Sequence, residues 1–213
     1  MSLVLHGYWR SSAAYRVRIA LNLKGLNYAQ VTHDLRTGAQ RAPAYVGIAP
    51  QGRVPALETD DGVLTQSLAI MEWLDEVYPL PPLLPPDPTD RAVVRAMAQL
   101  VACDIHPLNN LPVLQWLRSQ FNADEDAISG WIAHWIKQGF AALEVKISRH
   151  GGVFAFGDRP TLADCCLVPQ LYSAQRFGVD LQEFPKIVAV GEACTAMQAC
   201  VEAGPSAQPD ADP

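Results

Sequence analysis

Long apolar runs are missing from this chain. No stretch approaches the roughly 20 residues a membrane-spanning helix needs, and the first residues lack the basic start and apolar core of a secretory signal. A soluble protein of the cytoplasm, without a membrane partner, is the expectation. Basic residues are scarce: 16 Lys and Arg stand against 22 Asp and Glu, for a net charge of −6. With no basic block and no zinc-finger spacing, nucleic-acid binding is not expected. Cysteine is sparse and unpatterned. Cys103, Cys165, Cys166, Cys194 and Cys200 form no Cys-x-x-Cys pair and are odd in number, so neither a disulfide framework nor a metal site is expected. Charged residues make up only 18% of the 213, against 49% apolar. That balance excludes a disordered chain and provides for one large core or two small ones.

The few arginines are unevenly placed, with Arg10, Arg16 and Arg18 within one short stretch. Apolar Leu3, Val4 and Leu5 read as a strand and residues 15–24 as a helix, which leaves Arg10, Ser11 and Ser12 in the connecting turn. Free backbone N–H groups and the positive end of the helix dipole favour an anion there. Serine is also a preferred N-cap, so the local pattern fits simple helix capping equally well. Gly25 is a natural stop, and residues 27–35 alternate as a second strand. Strand, helix and strand make a βαβ unit with parallel pairing. Residues 36–52 read as a loop with room for a short helix. Residues 52–59 and 63–65 then flank Asp60-Asp61-Gly62 as a hairpin. Pro55 sits at a strand start, where proline is tolerated and either peptide isomer is open. Ser67 reads as the N-cap of a helix over 68–77, a second anion-ready terminus.

Six prolines between residues 79 and 88 rule out a helix interior and mark a linker. Beyond it the periodicity is helical over 90–103, 113–121 and 126–149. Residues 104–112 form a polar interruption with two prolines that carries His106, Asn109 and Asn110. Thr161 and Asp164 form a reciprocal cap for a helix running toward Arg176. A last helix is expected over 187–201, followed by a tail extended on the surface or disordered. The domains are therefore expected at 1–80, with a linker at 81–88 and a helical domain at 89–213.

Several motifs stand in a fixed order. Arg10-Ser11-Ser12 runs into Tyr15-Arg16-Val17-Arg18-Ile19-Ala20-Leu21, followed by Val54-Pro55-Ala56-Leu57 and Gln66-Ser67-Leu68-Ala69-Ile70. The second half adds Asp104-Ile105-His106-Pro107-Leu108-Asn109-Asn110, Gly157-Asp158 ahead of Thr161, Leu167-Val168-Pro169-Gln170 and Arg176-Phe177. Each is weak alone. The ordered set resembles the cytosolic glutathione S-transferases, and among them the zeta class, the maleylacetoacetate isomerases.

That resemblance implies a thioredoxin-like α/β first domain, an all-α second domain and a homodimer. It implies glutathione as cofactor, a small dicarboxylate as substrate, and cis–trans isomerisation by thiolate addition, rotation about an enolate-like single bond, and elimination. Maleylacetoacetate, in tyrosine and homogentisate breakdown, is the expected substrate. Maleylpyruvate, in gentisate breakdown, or a small α-halo acid that consumes glutathione are the alternatives, and a fold that has lost its chemistry is the non-enzymatic one. By the same resemblance Ser11 faces the glutathione sulfur and Ser12 supports it. Gln66 and Ser67 take the γ-glutamyl carboxylate and Val54 pairs with the cysteinyl backbone, while Gln40, Gln51, His106 and Asn110 also touch glutathione. Arg10 and Arg176 clamp the substrate's oxygen anions, with Arg16 and Arg18 supporting the fold or the domain interface. Ala13 stands where many zeta members have cysteine, which leaves Ser11 to stabilise the thiolate. His106 stands where others have glutamine, and only histidine titrates near neutral pH.

Overall fold

Four short strands open the computed structural model, which describes residues 2–212. They are β1 (Val4–Gly7), β2 (Ala29–Thr32), β3 (Ala56–Thr59) and β4 (Gly62–Thr65), in the order β2-β1-β3-β4. Helix α1 (Ser12–Leu23) connects β1 to β2, which pair in parallel, while β3 runs antiparallel to β1 and to β4. The expected βαβ unit and hairpin are both present. A 3₁₀ turn (Ala39–Arg41) and helix α2 (Pro43–Ile48) fill the long loop, and α3 (Ser67–Val77) follows β4.

Register decides what meets at the end of this sheet. His6 lies opposite Ala56, and Ala56 opposite Thr65. The chain leaving β1 at Tyr8, the Val54–Pro55 approach to β3 and the start of α3 therefore share one sheet end. The Val54–Pro55 peptide is cis, as is Leu80–Pro81.

The described residues divide into two compact units: everything up to Leu84 together with the segment from Thr195 on, and Pro85–Cys194 between them. Two expectations need correction. The first half of the proline-rich stretch is anchored and not a free linker. Leu83 and Leu84 are buried, and the buried Lys24 ammonium donates to Asp75 (2.9 Å), the Tyr78 carbonyl (2.7 Å) and the Pro81 carbonyl (3.0 Å). Asp75 also takes the Leu83 N–H at 2.7 Å.

The second correction concerns the C-terminal segment, which belongs to the sheet-bearing unit and not to the helical domain expected over 89–213. The single helix expected over 187–201 is broken into α8 (Pro185–Thr195) and α9 (Gln198–Ala203). Helix α9 packs on α1, because Tyr15 Oη, Asn22 Nδ2 and Arg18 Nε donate to the carbonyls of Cys200, Ala199 and Ala203. The tail, expected to be extended or disordered, makes a 3₁₀ turn (Pro205–Ala207) and buries Pro205 and Gln208.

The intervening unit is helical throughout: α4 (Pro88–Gln99), α5 (Leu111–Phe121), α6 (Glu125–His150), α7 (Leu162–Arg176) and most of α8. Ile128, Ile132, Ile136, Phe140, Leu143 and Ile147 form the buried stripe of α6 at three- and four-residue steps. The reciprocal cap at Thr161 forms. The fully buried Asp164 carboxylate accepts the Thr161 N–H and the Ala155 N–H, both at 2.8 Å, and the Thr161 hydroxyl at 2.9 Å. Where a helix was expected through 103, α4 ends at Gln99 and a π turn (Leu100–Ile105) leads into a 3₁₀ turn (His106–Asn109).

Candidate active site

Ser11 is the N-cap of α1: its backbone is extended and its Oγ accepts the Ala14 N–H at 3.2 Å. The Ser11 N–H in turn donates to the Tyr8 carbonyl at 3.0 Å. Capping occupies a lone pair of the hydroxyl and leaves its hydrogen available to donate. The two readings of this serine are therefore compatible. Ser12 is the first residue of α1, and the Arg10 guanidinium lies 5.0 Å from the Trp9 ring centroid.

At the same sheet end, the N-cap of α3 is Gln66 and not the expected Ser67, which is the first helical residue. Gln66 has φ 69° and ψ 113°, a conformation that costs a non-glycine residue of order 1–3 kcal/mol and is found chiefly at functional sites. Its Nε2 donates to Gln51 Oε1 at 2.8 Å, which joins two of the sequence-predicted contacts. Ser67 is buried, and its Oγ accepts Arg16 Nη1 at 3.2 Å, again leaving the hydroxyl hydrogen to donate. Arg16 thus ties α1 to the first residue of α3. Val54 packs on Tyr45, Ala49 and Ala56, and the Tyr45 hydroxyl donates to the Arg53 carbonyl at 2.8 Å, holding the loop that carries Val54. Gln40 is buried in the 3₁₀ turn, and its Oε1 has no hydrogen-bond partner.

The remaining predicted residues lie in the helical unit. His106 opens the 3₁₀ turn, and Asn110 is the N-cap of α5, its Oδ1 accepting the Leu111 N–H at 2.8 Å. Asn109 between them was singled out in sequence but given no role, yet both polar atoms of its side chain are buried without a partner. A polar interruption rich in asparagine was the available signal. Arg176 ends α7, exposed, with its guanidinium 4.3 Å from the Phe177 ring centroid. Among the described residues no cluster of His, Cys, Asp or Glu could hold a metal ion, and no helix is long and apolar enough to cross a membrane.

A parallel βαβ unit joined to a hairpin, with two helix N-termini and a cis-proline loop at one sheet end and a helical unit following, defines a glutathione-transferase architecture. The family model for the glutathione S-transferase N-terminal domain matches residues 1–76, and that for the C-terminal domain matches residues 125–193. The maleylacetoacetate isomerase of Pseudomonas aeruginosa is 52% identical over 209 residues, 97% of each chain. A maleylpyruvate isomerase described as a bacterial zeta-class glutathione S-transferase superposes with a TM-score of 0.96 at 49% identity, covering 98% of this chain and 100% of its own. The maleylacetoacetate isomerase of Methylobacterium extorquens AM1, solved with bound malonate and GSH, superposes with a TM-score of 0.94 at 40% identity, covering 99% and 100%. The chain belongs to the glutathione S-transferase family, in its zeta class.

Proposed function

We propose that this protein is a glutathione-dependent cis–trans isomerase of a maleyl-substituted oxo acid, with maleylacetoacetate as the preferred substrate. The observation that carries this reading is the Ser11 hydroxyl, which accepts the Ala14 N–H at the N-terminus of α1 and keeps its own hydrogen to donate. A thiolate placed there gains a hydrogen bond and the helix dipole, both of which lower the thiol pKa.

The residues present fit glutathione. A carboxylate suits the start of α3, where Ser67 offers a backbone N–H and a hydroxyl hydrogen and Gln66 presents a side chain braced by Gln51. Gln40 Oε1 is a buried acceptor awaiting a donor such as an ammonium or amide N–H. In this reading Val54 pairs its backbone with the cysteinyl residue, and His106 and Asn110 are the further residues assigned to glutathione. Once bound, glutathione supplies a nucleophilic sulfur that adds to the cis double bond and is expelled unchanged after rotation. Arg10 and Arg176 hold the substrate's carboxylates and offset negative charge developing on its carbonyl oxygen. Ser12 supports the turn.

Leu111 and Pro112 follow Asn110, where a more basic pair would suit the smaller maleylpyruvate, and this supports maleylacetoacetate. The 0.96 superposition keeps maleylpyruvate as the second substrate to test. A homodimer in the cytoplasm completes the proposal, and sedimentation at twice the chain mass supports it. The deciding assay supplies each cis substrate with substoichiometric glutathione. Full conversion without loss of thiol, faster for maleylacetoacetate, is expected. Inactivity toward both, or stoichiometric consumption of glutathione with an α-halo acid instead, overturns the reading.

A further inference from the structure

Residues 204–212 contribute no strand to the sheet, yet their polar groups converge on the turn that carries Arg10 and Ser11. The Trp9 N–H donates to Asp210 Oδ2 at 3.0 Å. Arg18, only 1% exposed, donates from Nη2 to the Trp9 carbonyl at 2.9 Å and from Nη1 to the Tyr8 carbonyl at 3.4 Å. Its Nε reaches the Ala203 carbonyl at 2.8 Å. One buried guanidinium therefore holds the turn and the C-terminal segment together. The Tyr8 carbonyl is also the acceptor of the Ser11 N–H, so whatever moves this peptide moves the N-cap.

The segment is itself fixed. Gln208, 5% exposed, donates from Nε2 to the carbonyls of Glu202 and Gly204, both at 2.8 Å, and its Oε1 accepts Gln30 Nε2 at 3.1 Å. Further along, Asp212 accepts both of its bonds from Arg36, whose guanidinium lies 5.9 Å from the Tyr8 ring centroid. A strand-to-helix turn has no ladder to hold it. Here both backbone polar groups of Trp9 are held by side chains from outside the turn, Asp210 on its N–H and Arg18 on its carbonyl.

We propose that Asp210, with Arg18, is a positioning residue: by fixing the Trp9 peptide it sets the place of the Ser11 hydroxyl against the reacting sulfur. This rests on the reading of Ser11 given above. A misplacement of about 1 Å at a reacting centre can cost about 100-fold in rate, so a partly loosened turn is expected to cost less. Asp210 is only half-buried, and its carboxylate can be removed without opening a core.

The test uses the full chain with reduced glutathione. The Asp210→Ala variant is expected to lower kcat about 10-fold and to raise the pH at which bound glutathione ionises, read from thiolate absorbance. The KM for the dicarboxylate and the melting temperature are expected to stay close to wild type. The Asp210→Asn variant should recover most of the rate, because an amide oxygen accepts the same N–H. Deleting residues 209–213 removes the acceptor by another route and should reproduce the alanine result. Hydrogen exchange of the peptide covering residues 8–14, measured without glutathione, should be faster in the alanine variant. If wild type ionises bound thiol and Asp210→Ala matches it in titration, kcat and exchange, this inference alone is overturned. A wild type that ionises no bound thiol overturns the reading of Ser11, and this inference with it.

Discussion

A hydroxyl has two lone pairs and one hydrogen, and at Ser11 these serve different ends. Replacing Ser11 by alanine removes both, costing about 1 kcal/mol of helix capping and lowering kcat by about 10- to 1000-fold. The Ser11→Asp variant separates them: its carboxylate caps Ala14 but has no hydrogen to give, so the melting temperature should hold while turnover collapses. Thermal unfolding beside steady-state kinetics decides, and an aspartate variant as active as wild type would remove the hydroxyl hydrogen from the mechanism. Arg176→Ala is expected to raise the KM for the dicarboxylate with little change in glutathione affinity by calorimetry. Two histidines meet at the sheet. His6 Nδ1 and His33 Nε2 stand 2.9 Å apart, His6 Nε2 is 2.6 Å from Glu58 Oε1, and Tyr45 packs beside both rings. Partial burial, and then neighbouring His6, hold His33 below its ordinary value of 6.5. As pH falls below that value the unfolded chain takes up the proton first, so stability is full above it and declines toward the lower folded value. The His33→Gln variant should flatten this slope, measured as urea midpoints at about pH 7.5 and about pH 5.5. Residue identities made Ser11 readable as a cap, but placed the cap of α3 at Ser67, one residue after the Gln66 that holds it. The positive φ of Gln66 was not readable, because glutamine gives no sign of it where glycine or asparagine would.

Among the elements, strands and long helices were legible from alternation and from apolar steps of three and four, as in the α6 stripe. Two departures from that regularity were not. The π turn Leu100–Ile105 carries ordinary helix-forming residues, and Pro107 signals only that the helix has ended somewhere before it. What fixes the turn is tertiary: α6 offers Gly139 against Ile105, and a β-carbon at Gly139 would overlap the Ile105 side chain. Gly139→Ala is therefore expected to cost about 1–3 kcal/mol by overpacking. It should also shift the 3₁₀ turn that carries His106 and Asn109, with glutathione affinity by calorimetry falling beyond what the lower stability explains. The break between α8 and α9 was equally hidden, because no glycine or proline stands at 196–197.

At the scale of the whole molecule, the proline run and the change of periodicity showed two units, but the allocation of the last residues was not readable. Their attachment runs through backbone carbonyls and the polar side chains of Gln208, Asp210 and Asp212, and hydropathy cannot register bonds of that kind. The anchored stretch before Pro85 was hidden for a like reason, since beside buried Leu83 and Leu84 its backbone is tied by the Lys24 ammonium and the Asp75 carboxylate. Lys24→Met strips Asp75 of its charged partner and two carbonyls of their donor. A loss of about 3–5 kcal/mol is expected, visible as a lower denaturant midpoint.

The return of residues 195–212 to the first unit also orders events in time. A ribosome must polymerise the whole intervening helical unit, Pro85–Cys194, before α1 can acquire the cover that Arg18, Tyr15 and Asn22 bind. At about 5–20 residues per second that wait lasts about 5–20 s. The first unit is thus completed only after the second has been made, and its Ser11 turn takes its final place only once Asp210 has been added.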